Sequence, residues 1–550
     1  MASFWFRNGL VHTMDPRRPW AESVVVHDEV IAFVGDEADA AAHRRPDTEE
    51  VDLEGGFLMP GFISGHDHFI GGALSKIGVS LENLHGKEAV LDRIRHYAET
   101  HPDKDVIRGH GWTQFTFDGE QPHRTWLDTV TDTRPAFLHS YEVHDVWANT
   151  AAFVAAGIDA STPDPNPPVS FFFRDSDGYP AGTCCEGSWM PLAIKLGMYS
   201  MESIREAMDL TMTPAPSYGI TSYFDAGSLL SSRRLERAVY ADLVALDNAG
   251  ELPVRIVASS GFVRGDGKSP ETVVEQAFEM QEEVRSPNIS VTTVKMFMDG
   301  VGPAHTASML EPYLDEPHTG GWVTPPEYAK EMALTANLAG FDVHIHSCGD
   351  AAVRAALDAF ENVRTTHPEL TPRNTVCHLE FCHPDDVPRF AQLGVTANAT
   401  PLWGTDYLGE FVDAYPNLVG HERFRRDYLP YGSIIRTGAN MTFGSDCPGV
   451  GVEEIAPLIH VEAAVTRRRP GRPDDRPAGG HEQMSVADAL RCFTMGGAKA
   501  LRLEHVTGSI EVGKRADLVQ LGRNPYTVPH HEIHAIPVVR TMLGGRFTFG

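Results

Sequence analysis

The stretch FLMPGFISGHDH, residues 57–68, decides the fold of this chain, because an apolar run there leads directly into two histidines. Alternate residues of a β-strand face the same side of a sheet, so His66 and His68 point in one direction. Imidazole is the commonest metal ligand near neutral pH. The stretch therefore predicts a buried strand that ends in two candidate metal ligands.

Seven further apolar runs follow, and helix-like segments such as ETVVEQAFEMQEEV separate most of them. Alternating strands and helices predict a parallel sheet covered by helices. Eight such units predict an α/β fold, a (β/α)8 TIM-like barrel, in which active sites lie at the C-terminal ends of the strands. The eight runs are FLMPGFISGH, GITSYFDAG, VRIVASSG, VTTVKMFMDG, FDVHIHSCGD, NTVCHLEF, GVTANATP and MTFGSDCP.

The two ends of the chain differ from this middle part. Both alternate apolar and polar residues over short runs that turn-forming residues interrupt, which is typical of antiparallel strands. We expect residues 1–58 and 505–550 to form one small β-sandwich domain, and residues 59–504 to form the barrel. Residues 75–200 are too long for an ordinary loop, so we expect a large insertion after the first barrel strand that caps the active site.

Composition restricts the class of partner. The chain has 550 residues, with 46 Lys and Arg against 75 Asp and Glu, a net charge of −29 that argues against nucleic acid. No apolar stretch reaches the ~20 residues of a membrane span, and the first residues lack the features of a secretory signal. Seven cysteines without a regular spacing indicate reduced thiols. We expect a cytoplasmic protein that acts on a small molecule, without a membrane partner, and a homodimer is compatible with the sequence.

Four more candidate residues lie within or at the ends of other apolar runs: His346, His378, Asp446 and Lys295. His344 shares strand parity with His346, so spacing alone does not choose between these two histidines.

Lys295 stands among apolar residues, where an unpaired ammonium is costly. A neutral lysine amine reacts with carbon dioxide to give a carbamate, and this carboxylate can bridge two cations. The alternative is an unmodified Lys295 that pairs with an acid such as Asp299.

Several of these motifs together resemble one enzyme family. PGFISGHDH, VKMFMDG, HIHSCGD, CHLEF, FGSDCP and the tail GSIEVGKRADLV are similar to motifs of the amidohydrolase superfamily. GHGWTQ, RPAFLHSYEVHDVWANTAAF and RDSDGYPAG resemble its YtcJ-like branch, which is similar to N-substituted formamide deformylases. The resemblance implies a metal-dependent hydrolase that cleaves an amide-type C–N bond, in an N-acyl or N-formyl amine or a related carbonyl substrate, by metal-activated hydroxide.

The resemblance also implies a role for each candidate. His66 and His68 would bind the more buried metal, His346 and His378 the second metal, and carbamylated Lys295 would bridge the two. Asp446 would contact the first metal and act as the catalytic base. The family pattern, in which Gly-Asp closely follows the histidine, selects His346 over His344. Zinc is the default cation for these ligands, one or two ions per chain, and manganese, iron or cobalt also fit.

Two residues of the insertion are candidate substrate contacts. Trp112 would form a wall of the pocket, and His144 would hydrogen-bond a substrate carbonyl and help stabilise the oxyanion. The alternative is that Trp112 belongs to the core of the insertion and that His144 stabilises a loop. Where the branch usually has Asp-Gly-His, this chain has Glu142-Val143-His144, and this difference concerns the substrate pocket.

Three other functions compete with amide hydrolysis. A mononuclear deaminase usually has a glutamate soon after the histidine of the fifth strand, whereas Ser-Cys-Gly-Asp follows His346 here. An ester or lactone hydrolase would use the same metal-activated hydroxide. A non-catalytic binding or regulatory member of the family would tend to lose ligands, but all six candidate positions are filled in this chain.

Overall fold

Eight parallel strands form the centre of the computed structural model, which describes residues 2–117, 119–141, 143–230, 232–263, 267–406 and 411–550. Their order in the sheet follows their order in the sequence, and each predicted run supplies one strand. The backbone N–H of Asp446, after the last strand, donates to the carbonyl of His66 on the first strand (3.0 Å), so the sheet nearly closes. These contacts confirm the predicted TIM-like barrel. The strands, named β1 to β8, are Phe62–Asp67, Ile220–Asp225, Arg255–Val263, Ile289–Phe297, Asp342–Ser347, Thr375–His378, Thr396–Ala399 and Met441–Phe443.

Helices cover the outside of the barrel, because parallel neighbours can be joined only by long crossover connections. Ser200, Ser232 and Ser269 each precede a helix and accept a hydrogen bond from a backbone N–H of its first turn. Such serine caps satisfy donors that the helix itself leaves unpaired. The helices after residue 200 are Met201–Thr211, Arg233–Asn248, Pro270–Glu283, Pro326–Leu338, Asp350–Thr366, Val387–Leu393, Phe411–Val419, His421–Asp427, Tyr431–Arg436, Pro457–Thr466, Val486–Arg491 and Gly497–Ala500.

Strands from the two ends of the chain pair with one another. Phe57–Pro60 pairs with Leu518–Leu521 in antiparallel register, inside a six-stranded sheet. A four-stranded sheet from the first 52 residues packs against it over a shared hydrophobic core. The division into a separate β-sandwich domain at residues 58 and 505 stays a prediction. The other strands of the two sheets are Ser3–Arg7, Leu10–His12, Trp20–Ala21, Ser23–His27, Val30–Gly35, Glu49–Asp52, Val538–Leu543 and Arg546–Phe549.

Residues 75–200 contain a further six-stranded sheet with hydrophobic clusters of its own, which we call the cap. Tyr141, His144 and Trp189 are among its residues that line the cavity at the mouth of the barrel. That residues 75–200 form an insertion that caps the active site stays a prediction. Within the described parts of the chain, no helix is both long and apolar enough to cross a membrane. The cap strands are Val79–Ser80, Ile107–Trp112, Ala136–Ser140, Asp145–Ala148, Phe172–Arg174 and Pro180–Cys185, and its helices are Lys87–Thr100, Arg124–Asp128, Thr150–Ala156 and Met190–Lys195.

Candidate active site

The barrel strands bring the predicted ligands together at one end of the barrel. The candidates lie within the last residues of β1, β4, β5 and β6 or just after β1 and β8. All of them are at least nine-tenths buried. Parallel strands point their C-terminal ends toward the same face, so residues distant in sequence meet there. The candidates are His66, His68, Lys295, His346, His378 and Asp446.

His66, His68 and Asp446 form the tightest group. Oδ1 of Asp446 lies 3.1 Å from Nε2 of His66 and 3.5 Å from Nε2 of His68. Nδ1 of His68 lies 2.7 Å from the carbonyl oxygen of Gly227. Since a carbonyl only accepts, Nδ1 carries the proton and Nε2 presents its lone pair to the group.

His346 and His378 lie beside this group. Their ring centroids are 4.4 Å apart, and Nδ1 of His378 is 3.8 Å from Oδ2 of Asp446. The His378 ring stacks on Trp403 at 5.6 Å between centroids. Nδ1 of His378 is buried and has no hydrogen-bond partner among the residues that the structure describes. An unsatisfied buried nitrogen is costly unless something binds it.

The donor atoms suit a divalent cation. One set of three, from His66, His68 and Asp446, offers two imidazole nitrogens and a carboxylate oxygen within 4.8 Å of one another. Burial lowers the pKa of His66, His346 and His378 well below its ordinary value, and the positive charge of Lys295 lowers it further. These rings are therefore neutral at pH 7, which is the form that binds metals.

Lys295 lies beside His66 of the first group. Its Nζ is 3.4 Å from Nε2 of His66 and 3.6 Å from Sγ of Cys377, and the side chain is 1% exposed. The carboxylate of Asp299, the acid expected as its alternative partner, accepts hydrogen bonds from the backbone N–H groups of Ser308, Cys348 and Gly349, at 2.8–3.0 Å. Asp299 thus fixes the loop after β4 against the loop after β5.

A cavity of about 530 Å³ opens over this cluster. His68, Lys295, His346, His378 and Asp446 line its floor, whereas His66 lies behind them. A cavity of this size accommodates a small organic molecule.

The cap residues divide between the cavity and the cap interior. His144 lines the cavity, and its ring centroid is 5.8 Å from that of His346. Trp112, expected in the pocket wall, is fully buried in the core of the cap, where its Nε1 donates to the carbonyl of Leu138 (2.9 Å). The expectation that Trp112 contacts substrate is corrected on this ground, because a ring enclosed by the cap core does not reach the cavity. Glu142 lies outside the described residues.

Sequence reasoning missed several residues of the site. Nε2 of His344 is 2.9 Å from Nδ1 of His66, so His344 holds the ring of His66 from behind. Trp403 lines the cavity beside His378, and the carboxylate of Glu186 contacts Nδ1 of His144 at 2.8 Å. The parity shared by His344 and His346 pointed to the first of these, but no motif marked Trp403.

Comparisons with known proteins agree with this geometry. A sequence model of the amidohydrolase family matches residues 49–549. The N-substituted formamide deformylase of Arthrobacter pascens is 28% identical over 98% of this chain and 96% of its own length. The exoenzymes regulatory protein AepA of Pectobacterium carotovorum subsp. carotovorum is 28% identical over 80% of this chain and 92% of its own length.

A solved structure shares the fold. An uncharacterized metal-dependent hydrolase from Pyrococcus horikoshii OT3 superposes with a TM-score of 0.71 at 22% identity, over 96% of this chain and 99% of that one. The family match covers nearly the whole chain, barrel and cap included. This protein therefore belongs to the amidohydrolase family.

Proposed function

We propose that this protein is a metal-dependent hydrolase that cleaves an amide-type C–N bond in a small N-acyl or N-formyl amine. One observation carries the proposal: five ligand-type side chains and Lys295 converge from the ends of five barrel strands on or directly beneath the floor of one cavity. Family membership supports the same reaction class. The relative from Arthrobacter pascens, named for the deformylation of N-substituted formamides, favours an amide over other carbonyl substrates.

The ligands divide into two sets. His66, His68 and Asp446 would hold one divalent cation, and His346 and His378 would hold a second. Lys295, as a carbamate, would contribute an anionic group to both sets. Its Nζ lies 3.4 Å from Nε2 of His66, in the first set. When bound, such a cation lowers the pKa of a coordinated water and polarises a carbonyl oxygen.

Asp446 is the proposed proton carrier. Burial raises the pKa of Asp446, but neighbouring groups, among them the ammonium form of Lys295, lower it by more, so that this pKa lies below its ordinary value. The carboxylate is therefore ionised at pH 7 and able to take the proton of the attacking water. It would return this proton to the leaving nitrogen, acting first as general base and then as general acid.

The cap completes the site from above. Trp189 and Tyr141 line the cavity together with His144. These side chains would enclose the substrate and limit the access of water, which strengthens electrostatic interactions in the cavity. A cytoplasmic location and a homodimer stay predictions.

A hydrolysis screen tests the proposal. The protein, loaded with zinc, manganese or cobalt, is incubated with N-acyl amines, formamides, ureas, esters and amino-heterocycles, and the products are separated and identified. We expect release of an amine and a carboxylic acid from at least one amide. The Asp446→Asn variant should lose about 10²–10⁴-fold in kcat.

A matched control separates loss of catalysis from loss of fold. Asp225, also buried at a strand end, accepts a hydrogen bond from the hydroxyl of Tyr240 (2.5 Å) and does not line the cavity. The Asp225→Asn variant should retain the kcat of the wild type.

Other results of the screen would favour the competing functions. Release of ammonia from an amino-heterocycle, without amide cleavage, would favour a deaminase. Cleavage of esters alone would favour an esterase or lactonase. Full metal content without turnover of any compound would favour a binding or regulatory role.

A further inference from the structure

His144 and Glu186 form a hydrogen-bonded pair in the cap, next to the cavity. Nδ1 of His144 lies 2.8 Å from Oε1 of Glu186, and the Glu186 side chain is 4% exposed. The backbone N–H of Glu186 donates to the carbonyl of His144 (3.0 Å), and Nε1 of Trp189 donates to the same carbonyl (3.1 Å). Both the backbone and the ring of His144 are thus held in place.

The barrel holds this pair from its other side. Oγ1 of Thr306, in the long loop after β4, donates to Oε1 of Glu186 (3.1 Å). A Cβ atom on Gly300 would lie 2.4 Å from Oε1 of Glu186 and 2.1 Å from Oγ1 of Thr306, so only glycine leaves room for this contact. Glu186 itself has φ = +47°, a backbone conformation that is costly for a glutamate. Such a strained backbone persists only where the surrounding contacts hold it in place, and here these contacts are those of Glu186 with the barrel loop.

The hydrogen bonds determine which tautomer the neutral ring of His144 adopts. Two donors converge on Oε1 of Glu186, and a carboxylate oxygen accepts from both. Nδ1 of His144 therefore bears a proton, and in the neutral ring Nε2 carries the lone pair. Glu186 does not line the cavity whereas His144 does, so the part of the ring turned away from Glu186 faces the substrate.

We propose that Glu186 is a positioning residue that makes His144 a hydrogen-bond acceptor for the N–H of the scissile amide. Nε2 in this tautomer accepts a hydrogen bond, and it does not donate one to a carbonyl oxygen. The inference rests on the proposed function and specifies it, because it selects amides that carry an N–H. It also changes the role expected for His144 from the sequence, from a contact with the carbonyl to a contact with the nitrogen.

Matched substrates separate these two roles. We would measure kcat/KM on formyl, acetyl and benzoyl derivatives of aniline, N-methylaniline and phenol, which present the same acyl groups with and without an N–H. His144→Phe removes the acceptor. Glu186→Gln replaces the carboxylate that accepts from Nδ1 by a neutral amide. Its oxygen accepts less strongly, and its NH2 group donates to Nδ1 when it faces the ring, so the ring proton is no longer held on Nδ1 alone. Both variants should lower the anilide-to-ester and anilide-to-N-methylanilide ratios by about 10-fold relative to the wild type.

Two further variants exclude a merely structural effect. Oε2 of Glu462, a buried carboxylate, lies 2.7 Å from Nδ1 of His534 in a similar pair that does not line the cavity. Glu462→Gln should therefore leave both ratios unchanged. Thr306→Val removes the second donor to Glu186 and keeps the charge. It should lower the ratios in the same direction as Glu186→Gln, and Thr306→Ser should not.

The outcomes are distinguishable. An equal loss on anilide, N-methylanilide and ester in His144→Phe would overturn the inference and return His144 to the carbonyl. Wild-type activity on esters but not on anilides would also overturn it. If the metal-loaded wild type cleaves none of these compounds, the proposed function itself is contradicted, and the inference with it.

Discussion

Lys295 allows a sharp test of the metal centre, because its state is linked to the presence of a cation. Nζ lies 3.4 Å from Nε2 of His66, so a cation bound to His66 would lie within a few ångströms of Nζ. Two unit charges 4 Å apart interact with about 4 kcal/mol at an effective dielectric constant of 20. A dication beside an ammonium is therefore unfavourable by about 8 kcal/mol. Removing the proton from a lysine of ordinary pKa at pH 7 costs about 5 kcal/mol.

The second number is smaller than the first, so a bound cation favours the neutral amine. The neutral amine is the form that reacts with carbon dioxide, and the resulting carbamate would supply an anion that two dications among neutral imidazoles require. We predict that Lys295→Ala lowers metal content and kcat together, with at least about 100-fold weaker binding of the cation. Short carboxylic acids should partly restore both quantities.

Lys295→Arg distinguishes the carbamate from a simple ion pair. Arginine stays charged and does not form a carbamate under these conditions, so it should retain less metal than alanine. If Lys295 only balanced a neighbouring acid, arginine would replace it better than alanine. Metal per chain is measured by elemental analysis, and the carbamate by its carbon-13 signal after exposure to labelled bicarbonate. Full metal content and full activity in Lys295→Arg would refute the reasoning.

Three further predictions concern the cation and the stability of the fold. Dialysis against a chelator should abolish hydrolysis but leave the circular dichroism unchanged, since the barrel core is hydrophobic, and added zinc should restore activity. Burial raises the pKa of Glu454 to about 7, so the folded state loses stability as pH rises from about 4.3 to about 7. The free energy of unfolding of Glu454→Gln should therefore exceed that of the wild type by about 3 kcal/mol at pH 8, but not at pH 4. Asp517→Asn should cost 3–5 kcal/mol because it leaves Arg255 buried without its partner at 2.5 Å, whereas Asp242→Asn, in an exposed pair with Arg205, should lower the melting temperature far less.

The sequence predicted the barrel well because its signals are local. Each strand appears as a short apolar run. A residue at the C-terminal end of such a run lies at the active-site end of the barrel, and the candidate ligands occupy these ends. Parity placed His344 and His346 on the same side of β5 but did not show which of the two histidines lies nearer to the cavity. Two residues along a strand span about 6.6 Å, so His346 reaches the cavity while His344 lies one layer deeper, against His66.

The cap was less predictable, because its sheet is covered on both faces. In an open sheet, alternation of polar and apolar residues shows which side faces solvent. The cap has a hydrophobic cluster on each of its faces, and Trp112 belongs to one of them. Its Nε1 finds a backbone acceptor inside the cap, which sequence does not reveal. Glu186 was equally hidden, since its partners His144 and Thr306 are 42 and 120 residues away.

Substitutions in the barrel and in the cap should alter the enzyme differently, because the two parts supply different groups of the site. The barrel supplies every proposed metal ligand, whereas the cap supplies His144 together with Glu186, which positions the His144 ring. The two parts meet at Gly300, whose carbonyl oxygen lies 3.1 Å from Nε2 of His346 and whose missing side chain makes room for Glu186. Substitutions at Glu186 should therefore change selectivity among substrates without changing metal content. Gly300→Ala should change both, because it presses on the cap pair and moves the carbonyl that faces a ligand.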